Sequence, residues 1–377
     1  MASYLGEYSA TSMVSSHEEP FESTRTNLVT RIRGSRVKIP DLKSLLSHWP
    51  AKIHPQVDQL EKHVQTTLES IFTHPEDEDR LRKMKESKLG LFTASWYPYA
   101  SFETLCVLAD FCVWLFAWDD ETDSFEFSPL ADDFDSATAF RDQTISFIRQ
   151  SLTRRKPEGT TPTTAPRLIS CFEPVGAVLY ESYNDDQIKR FMNEIVFFIE
   201  MCEEEHNSQQ ADCLPTIEQY MQRRMGSGAV RVCLALTDFA SGSVLPEDVM
   251  LDDSFQIIWH ETNIIISDMN DMLSIKKEIE QSQVDSLIPL LFLKFGSVQA
   301  ALDQATRELS GSIGRLEAAE RDILSRYSTA TAETQEKIRH HIEACKIACT
   351  ANVDWSLVSG RYKIHSASME DGIHMVL

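Results

Sequence analysis

No C-x-x-C pair occurs among the eight cysteines, Cys106, Cys112, Cys171, Cys202, Cys213, Cys233, Cys345 and Cys349. A zinc or dithiol redox motif is therefore missing, and reduced core thiols are expected. Cys345 and Cys349 share a helical face, but no His or Cys neighbour completes a ligand set around them. Glycine and proline are few, 13 and 14 of 377 residues, which excludes collagen-like and low-complexity architectures. Basic residues are outnumbered, 36 Lys and Arg against 58 Asp and Glu, for a formal net charge of -22. A nucleic-acid partner needs a basic face, so none is expected, and an anionic membrane surface is disfavoured for the same reason. No apolar run approaches the ~20 residues of a membrane-spanning helix. The polar start of the chain lacks the charged-then-apolar pattern of a secretory signal, so a soluble, cytoplasmic protein is expected. G-x-S-x-G, P-loop and dinucleotide fingerprints are missing too, which removes the usual signals of nucleophilic hydrolysis and nucleotide binding.

What is present is a large apolar fraction, 42%, in helical rather than strand-like spacing. Residues 1–37, rich in Ser, Thr and Glu, read as a disordered or loosely attached tail. Structure is expected from Ile39-Pro40-Asp41, with Asp41 capping a helix that carries Leu42, Leu45, Leu46 and Trp49. Helical spacing recurs through Val57, Leu60, Val64 and Leu68, and again through the charged stretch 75–88. From Phe102 to Trp118 the pattern is apolar nearly all round, which predicts a central, buried helix. Further helical stretches run near 167–183, 186–206, 215–240, 246–279, 284–295, 297–328 and 331–358, and no repeat of solenoid period stands out. The segment from Arg154 to Pro166 is a surface loop, read as an insertion between two helices of one domain. The expectation is a single all-α domain over 38–365 followed by a C-terminal tail, 366–377.

Two clusters carry chemistry. Asp119-Asp120-Glu121-Thr122-Asp123 places four carboxylates directly after the apolar run Phe111 to Trp118. Carboxylates at the C-terminal end of a buried helix repel each other and oppose its dipole, so they call for a hard divalent cation. Asp119 and Asp123 share a face, while Asp120 is rotated away from it, placed either to support the ligands or to face an opposing wall. Farther on, Asn270, Ser274 and Glu278 recur at i, i+4 and i+8 and form one oxygen-bearing helical stripe suited to a second metal position. Asp271 falls on a neighbouring face and reads as solvated. His260-Glu261 points to different helix faces, and Glu203-Glu204-Glu205-His206 reads as the solvated exit of an apolar helix.

Asp119-Asp120-x-x-Asp123 followed by Asn270-Asp271-x-x-Ser274-x-x-Lys277-Glu278 resembles the class I terpene cyclases, the fungal sesquiterpene cyclases in particular. Tyr220-Met221-Gln222-Arg223-Arg224-Met225-Gly226-Ser227-Gly228 resembles the family segment with its diphosphate-sensing arginine, linker and helix-breaking effector, which implies those roles for Arg224, Ser227 and Gly228. Arg361-Tyr362 resembles the terminal pair that contacts the diphosphate.

The resemblance implies a helical bundle around an apolar cavity, three magnesium ions and an isoprenyl diphosphate substrate. Arg224, Lys277, Arg361 and Tyr362 would supply fixed donors to the leaving diphosphate. The carbocation left behind needs a dry cavity with aromatic faces. Phe92, Trp96, Tyr97, Tyr99, Phe116, Trp259 and Trp355 are the wall candidates, Phe92 and Trp355 first among them. Farnesyl diphosphate is the expected substrate and geranylgeranyl diphosphate its rival. A chain-elongating prenyltransferase is disfavoured because such enzymes carry two Asp-rich motifs, and a non-catalytic isoprenoid-binding protein because the motifs are intact. Monomer and homodimer both remain open.

Overall fold

The computed structural model describes residues 22–123, 127–153, 166–211, 213–362, 364 and 371–377, apart from the side chains of 22–24, 123 and 131. Its axis is the Phe102–Asp123 helix, and Phe111, Cys112, Val113, Trp114, Ala117 and Trp118 are buried on every side of it. A helix that is apolar all round has to be enclosed. The Val57–Ile71 and Leu89–Trp96 helices cover one flank, and Glu173–Ser182 and Asp185–Gln210 cover another. Burying one Phe or Leu completely contributes roughly 2–3 kcal/mol, so this enclosure is a main source of stability.

A second long helix, Asp253–Glu280, packs against Val298–Arg326 and Ala332–Val358. Its start is fixed by Asp252, which accepts a hydrogen bond from Ser254 N at 2.8 Å. Asn184 with Gln187, and Thr216 with Gln219, form capping boxes that begin the helices Asp185–Gln210 and Ile217–Ser227. The Leu287–Phe295 helix stops at Gly296, whose φ of 76° only glycine adopts freely, and Ser297 caps the next helix at once. Asp41 caps Leu42–Leu45, as its position before the apolar spacing predicts. The helical stretch read over 215–240 is divided: Ile217–Ser227, Val230–Leu234 and Thr237–Ser241 follow one another. Residues 154–165 of the expected surface loop lie outside the described residues.

Residues 1–21 and 366–370 of the two expected tails lie outside the described residues, and the described parts carry regular structure. A helix at Glu22–Ile32 buries Leu28, Val29 and Ile32. Strand Arg36–Ile39 pairs antiparallel with Ile373–Val376, Arg36 opposite Val376 and Ile39 opposite Ile373. Gly372, at φ 110°, makes that approach possible, because a Cβ there would lie 2.2 Å from the Ile39 carbonyl oxygen. Four-residue strands whose partners lie at opposite ends of the chain leave no alternation long enough to read. Among the described residues no helix is long and apolar enough to cross a membrane.

Candidate active site

A cavity of about 380 Å3 opens where the acidic end of Phe102–Asp123, the Asp253–Glu280 helix and the end of Ala332–Val358 converge. Its lining unites most of the residues singled out from sequence: Phe92, Trp96, Phe116, Asp119, Arg224, Ser227, Gly228, Asn270, Ser274, Lys277, Glu278, Trp355, Arg361 and Tyr362.

The body of the cavity is aromatic. Phe92 meets Phe116 at 5.4 Å and Trp355 at 5.0 Å between ring centroids, and Phe116 meets Trp355 at 5.6 Å, all three edge to face. Trp96 lies 5.1 Å from Phe92, and Tyr362 5.7 Å from Trp355. Trp355 is held in place by its indole Nε1, which donates to the Ser87 carbonyl at 2.6 Å. Edge-to-face rings present negative π faces to one another's edges and to any cation between them. The other wall candidates belong elsewhere. Tyr97 is buried and donates to the Cys233 carbonyl at 2.8 Å, Tyr99 is 48% exposed, and Trp259 packs on Phe255 under Arg231.

The mouth is charged. Arg361 donates to both oxygens of Asp120, Nη2 to Oδ1 at 3.0 Å and Nη1 to Oδ2 at 3.4 Å, with Asp119 at 3.9 Å. Its guanidinium also sits 5.3 Å above the Phe116 ring. The side chain of Asp123, the other expected ligand, lies outside the described residues. Across the cavity Arg224 Nη2 donates to Asn270 Oδ1 at 2.8 Å and pairs with Asp271 Oδ1 at 3.1 Å. Asn270 Nδ2 in turn donates to the Tyr362 hydroxyl at 2.7 Å, joining the two arginine clusters through one amide. Ser274 hydrogen-bonds Glu278 Oε1, and Ser286 donates to Oε2 at 2.6 Å. Burial, with the Asp271 charge beside it, pushes the Glu278 carboxyl up to about 7.

The helix break expected at Gly228 is present, but its left-handed residue is the next one. Gly228 has an ordinary φ of -71° and ends Ile217–Ser227, whereas Ala229 takes φ 55° and starts Val230–Leu234. Space is tight at Gly228: a Cβ would meet the Arg224 carbonyl oxygen at 3.3 Å and Ser267 Oγ at 3.4 Å. Arg224 Nε and Ser227 Oγ are buried without a hydrogen-bond partner among the described residues. Leaving a buried polar group unpaired costs about 1–3 kcal/mol, and two such groups stand on this wall.

Among the described residues no group of three or more His, Cys, Asp and Glu side chains could hold a metal ion. The donor set that fits a hard cation is mixed, an amide at Asn270, a hydroxyl at Ser274 and a carboxylate at Glu278, with Asp119 on the opposing wall. All are oxygen donors that line one cavity. Cys345 and Cys349 are buried, and burial raises both thiols, that of Cys345 to about 12, which suits core packing and not ligation.

Three features escaped the sequence reading. Asp271 is not solvated: it is buried, and it accepts a hydrogen bond from Tyr220 as well as the Arg224 pair. Glu205 is not at a helix exit, since that helix continues to Gln210 and Glu205 lines the cavity. Arg25 also lines it, and it donates to Asp285 at 2.9 and 2.6 Å and to the carbonyls of Ala211 and Ser208 at 2.8 and 2.9 Å. An oxygen-lined mouth over an aromatic body, inside an all-α bundle, is the architecture of a class I terpene synthase.

The chain belongs to terpene synthase family 2: the model described as "Terpene synthase family 2, C-terminal metal binding" matches residues 110–315. It is similar to sesquiterpene cyclase hepA of Aspergillus oryzae, 28% identical over 345 residues that cover 90% of this chain and 92% of the relative. It is also similar to the 4-epi-cubebol synthase ((2E,6E)-farnesyl diphosphate cyclizing) of Streptosporangium roseum, 23% identical over 83% of this chain and 90% of that one. The fold matches the crystal structure of linalool/nerolidol synthase from Streptomyces clavuligerus with a TM-score of 0.70, at 17% identity, over 83% of this chain and 98% of that one.

Proposed function

We propose that this terpene cyclase ionises farnesyl diphosphate with the help of Mg2+, cyclises the resulting cation to a sesquiterpene and releases diphosphate. One observation carries the reading: a single cavity joins an arginine- and oxygen-rich mouth to an aromatic body. The S. roseum relative, whose name states that it cyclises farnesyl diphosphate, supports a fifteen-carbon substrate.

In this reading Asp119 and Asp123 hold Mg2+ on one wall and Asn270, Ser274 and Glu278 on the other, three ions in all as the family resemblance implies. When bound, Mg2+ acts as a Lewis acid on the diphosphate oxygens. Arg224, Lys277, Arg361 and Tyr362 bind the same oxygens through fixed N–H and O–H donors, so charge developing on the leaving group meets dipoles already in place. Ser227 Oγ and Arg224 Nε, without a partner among the described residues, would gain one from the diphosphate. Asp120 holds the Arg361 fork in register. Phe92, Phe116 and Trp355 stabilise the migrating positive charge through their π faces and shield it from bulk water, and Trp96 completes that wall.

Incubating the protein with Mg2+ and geranyl, farnesyl or geranylgeranyl diphosphate, then identifying extracted products by mass spectrometry, tests the proposal. A cyclic C15 product is expected from farnesyl diphosphate. A C20 ring system formed in preference would replace the substrate, and no cyclic product from any of the three would sink the reading.

A further inference from the structure

The deep end of the cavity holds a polar group that the ionisation chemistry does not use. Trp355 Nε1 and Ser359 Oγ both donate to the Ser87 carbonyl, at 2.6 and 3.3 Å, and Phe92 packs on Trp355 at 5.0 Å. Leu89–Trp96 and Ala332–Val358 therefore run antiparallel. Trp96 and Asn352, each about one helical turn, roughly 5 Å, beyond the Phe92–Trp355 pair, lie at the end remote from Arg361 and Tyr362. Both line the cavity and both are buried, Asn352 at 5% exposure. Asn352 Nδ2 and Trp96 Nε1 have no hydrogen-bond partner among the described residues.

An amide that serves only helix packing is normally hydrogen-bonded within the protein. Ser267 Oγ and the Tyr97 hydroxyl follow that rule, donating to Asn263 Oδ1 at 3.3 Å and to the Cys233 carbonyl at 2.8 Å, whereas Ser356 Oγ, one turn from Asn352, lacks a partner among the described residues as Asn352 Nδ2 does. Their neighbours on the lining, Leu115, Phe198, Val230 and Ile266, are apolar. Two unpaired N–H donors at the hydrocarbon end of such a cavity suit an oxygen atom that arrives there.

We propose that Asn352, with Trp96 beside it, holds a water molecule at this end, and that the last carbocation is captured there as an alcohol. The inference rests on the cyclase reading above and assigns how that reaction ends. The Asn352 N–H donates to one lone pair of the water oxygen, leaving the other for the cationic carbon. That lone pair forms the new C–O bond. The resulting oxonium loses one proton, which ends on the diphosphate released in the first step, and no oxidant or reductant takes part. Asn352 acts here as a positioning residue, since it orients the nucleophile without touching the reacting carbon.

The test is turnover of farnesyl diphosphate in H2 18O, with diphosphate release measured alongside the products. An 18O-labelled cyclic alcohol is expected from the unaltered enzyme. Asn352→Leu should lower the alcohol share of total product at least tenfold in favour of hydrocarbons, and Asn352→Ala serves the same purpose if the larger side chain prevents folding. Reading the share, and not the rate, separates loss of the held water from a general loss of activity. Hydrocarbon-only product from the unaltered enzyme, or an alcohol share unmoved by removing the amide, overturns this inference alone. No diphosphate release from any isoprenyl diphosphate overturns the cyclase reading and this inference with it.

Discussion

Arg361 spreads its guanidinium over both oxygens of Asp120, at 3.0 and 3.4 Å, and stays 3.9 Å from Asp119. Adjacent carboxylates thus have separate tasks, one engaged by the arginine and one turned to the cavity. Asp119→Asn should cut Mg2+-dependent diphosphate release by about 100-fold or more, because it removes an anionic oxygen donor. Asp120→Asn should act through Arg361 instead, lowering kcat/KM by about 10- to 100-fold, the worth of one charged hydrogen bond. Steady-state kinetics at several Mg2+ concentrations distinguish them: only Asp119→Asn should raise the Mg2+ requirement steeply.

Glu278 gives the site a pH dependence. Its carboxyl is raised from the ordinary 4.5 to about 7 by burial and by the Asp271 charge. The folded, metal-free protein therefore holds this proton more tightly than the unfolded chain does. The stability it confers is fully present below pH 4.5 and is lost as pH rises through 7. Melting curves in EDTA should accordingly shift to lower temperature between pH 5.5 and 8, and Glu278→Gln should flatten that trend. Because the proton competes with the cation, Mg2+ affinity measured by calorimetry should tighten up to about tenfold per pH unit below 7 and level off above it. Turnover by Glu278→Gln should be nearly abolished with the fold intact.

The aromatic wall predicts a coupled change in stability and product. Trp355→Phe keeps a ring against Phe92 and Phe116 but leaves the Ser87 carbonyl without its indole donor. A cost of about 1–2 kcal/mol follows from the lost hydrogen bond and the smaller ring, visible as a melting temperature lower by a few degrees. The product profile by gas chromatography should change as well, since the contour around the cation changes. An unchanged profile would remove Trp355 from the wall.

Arg25 ties the first helix to the rim of the cavity through Asp285 and the carbonyls of Ser208 and Ala211. The rim segment it holds, 281–286, includes Ser282 at φ 60°, a conformation that a serine keeps only when its surroundings impose it. Arg25→Ala should speed hydrogen–deuterium exchange across 281–286 and 208–211 and leave the aromatic helix Leu89–Trp96 as protected as before. Uniform loss of protection would instead indicate a global defect.

How much of this was readable follows the range of each interaction. Asp119 stood out because carboxylates end an apolar run, and Asn270, Ser274 and Glu278 because a helix repeats at four residues; both signals are local. Asp271, one position from Asn270, could not be read, because its burial depends on Tyr220 and on the backbone at Leu287. The same holds for Arg25, whose partners lie 183 or more positions away along the chain. Asn352 has no motif around it, and only the cavity gives its unpaired N–H a meaning. The left-handed turn at Ala229 was displaced by one residue from the glycine that draws attention to it.

The pairing of Arg36–Ile39 with Ile373–Val376 has a consequence for biosynthesis. Arg36–Ile39 cannot pair until Ile373–Val376 has left the ribosome. Leu28, Val29 and Ile32 leave the ribosome long before the residues that complete their enclosure, so an early apolar segment has to wait. Closing so long a loop comes late in folding, and until then the nascent chain offers chaperones, or a neighbouring nascent chain, an exposed edge. Removing Ile373–Val376 would prolong that exposure indefinitely, which makes this strand a determinant of yield as much as of shape.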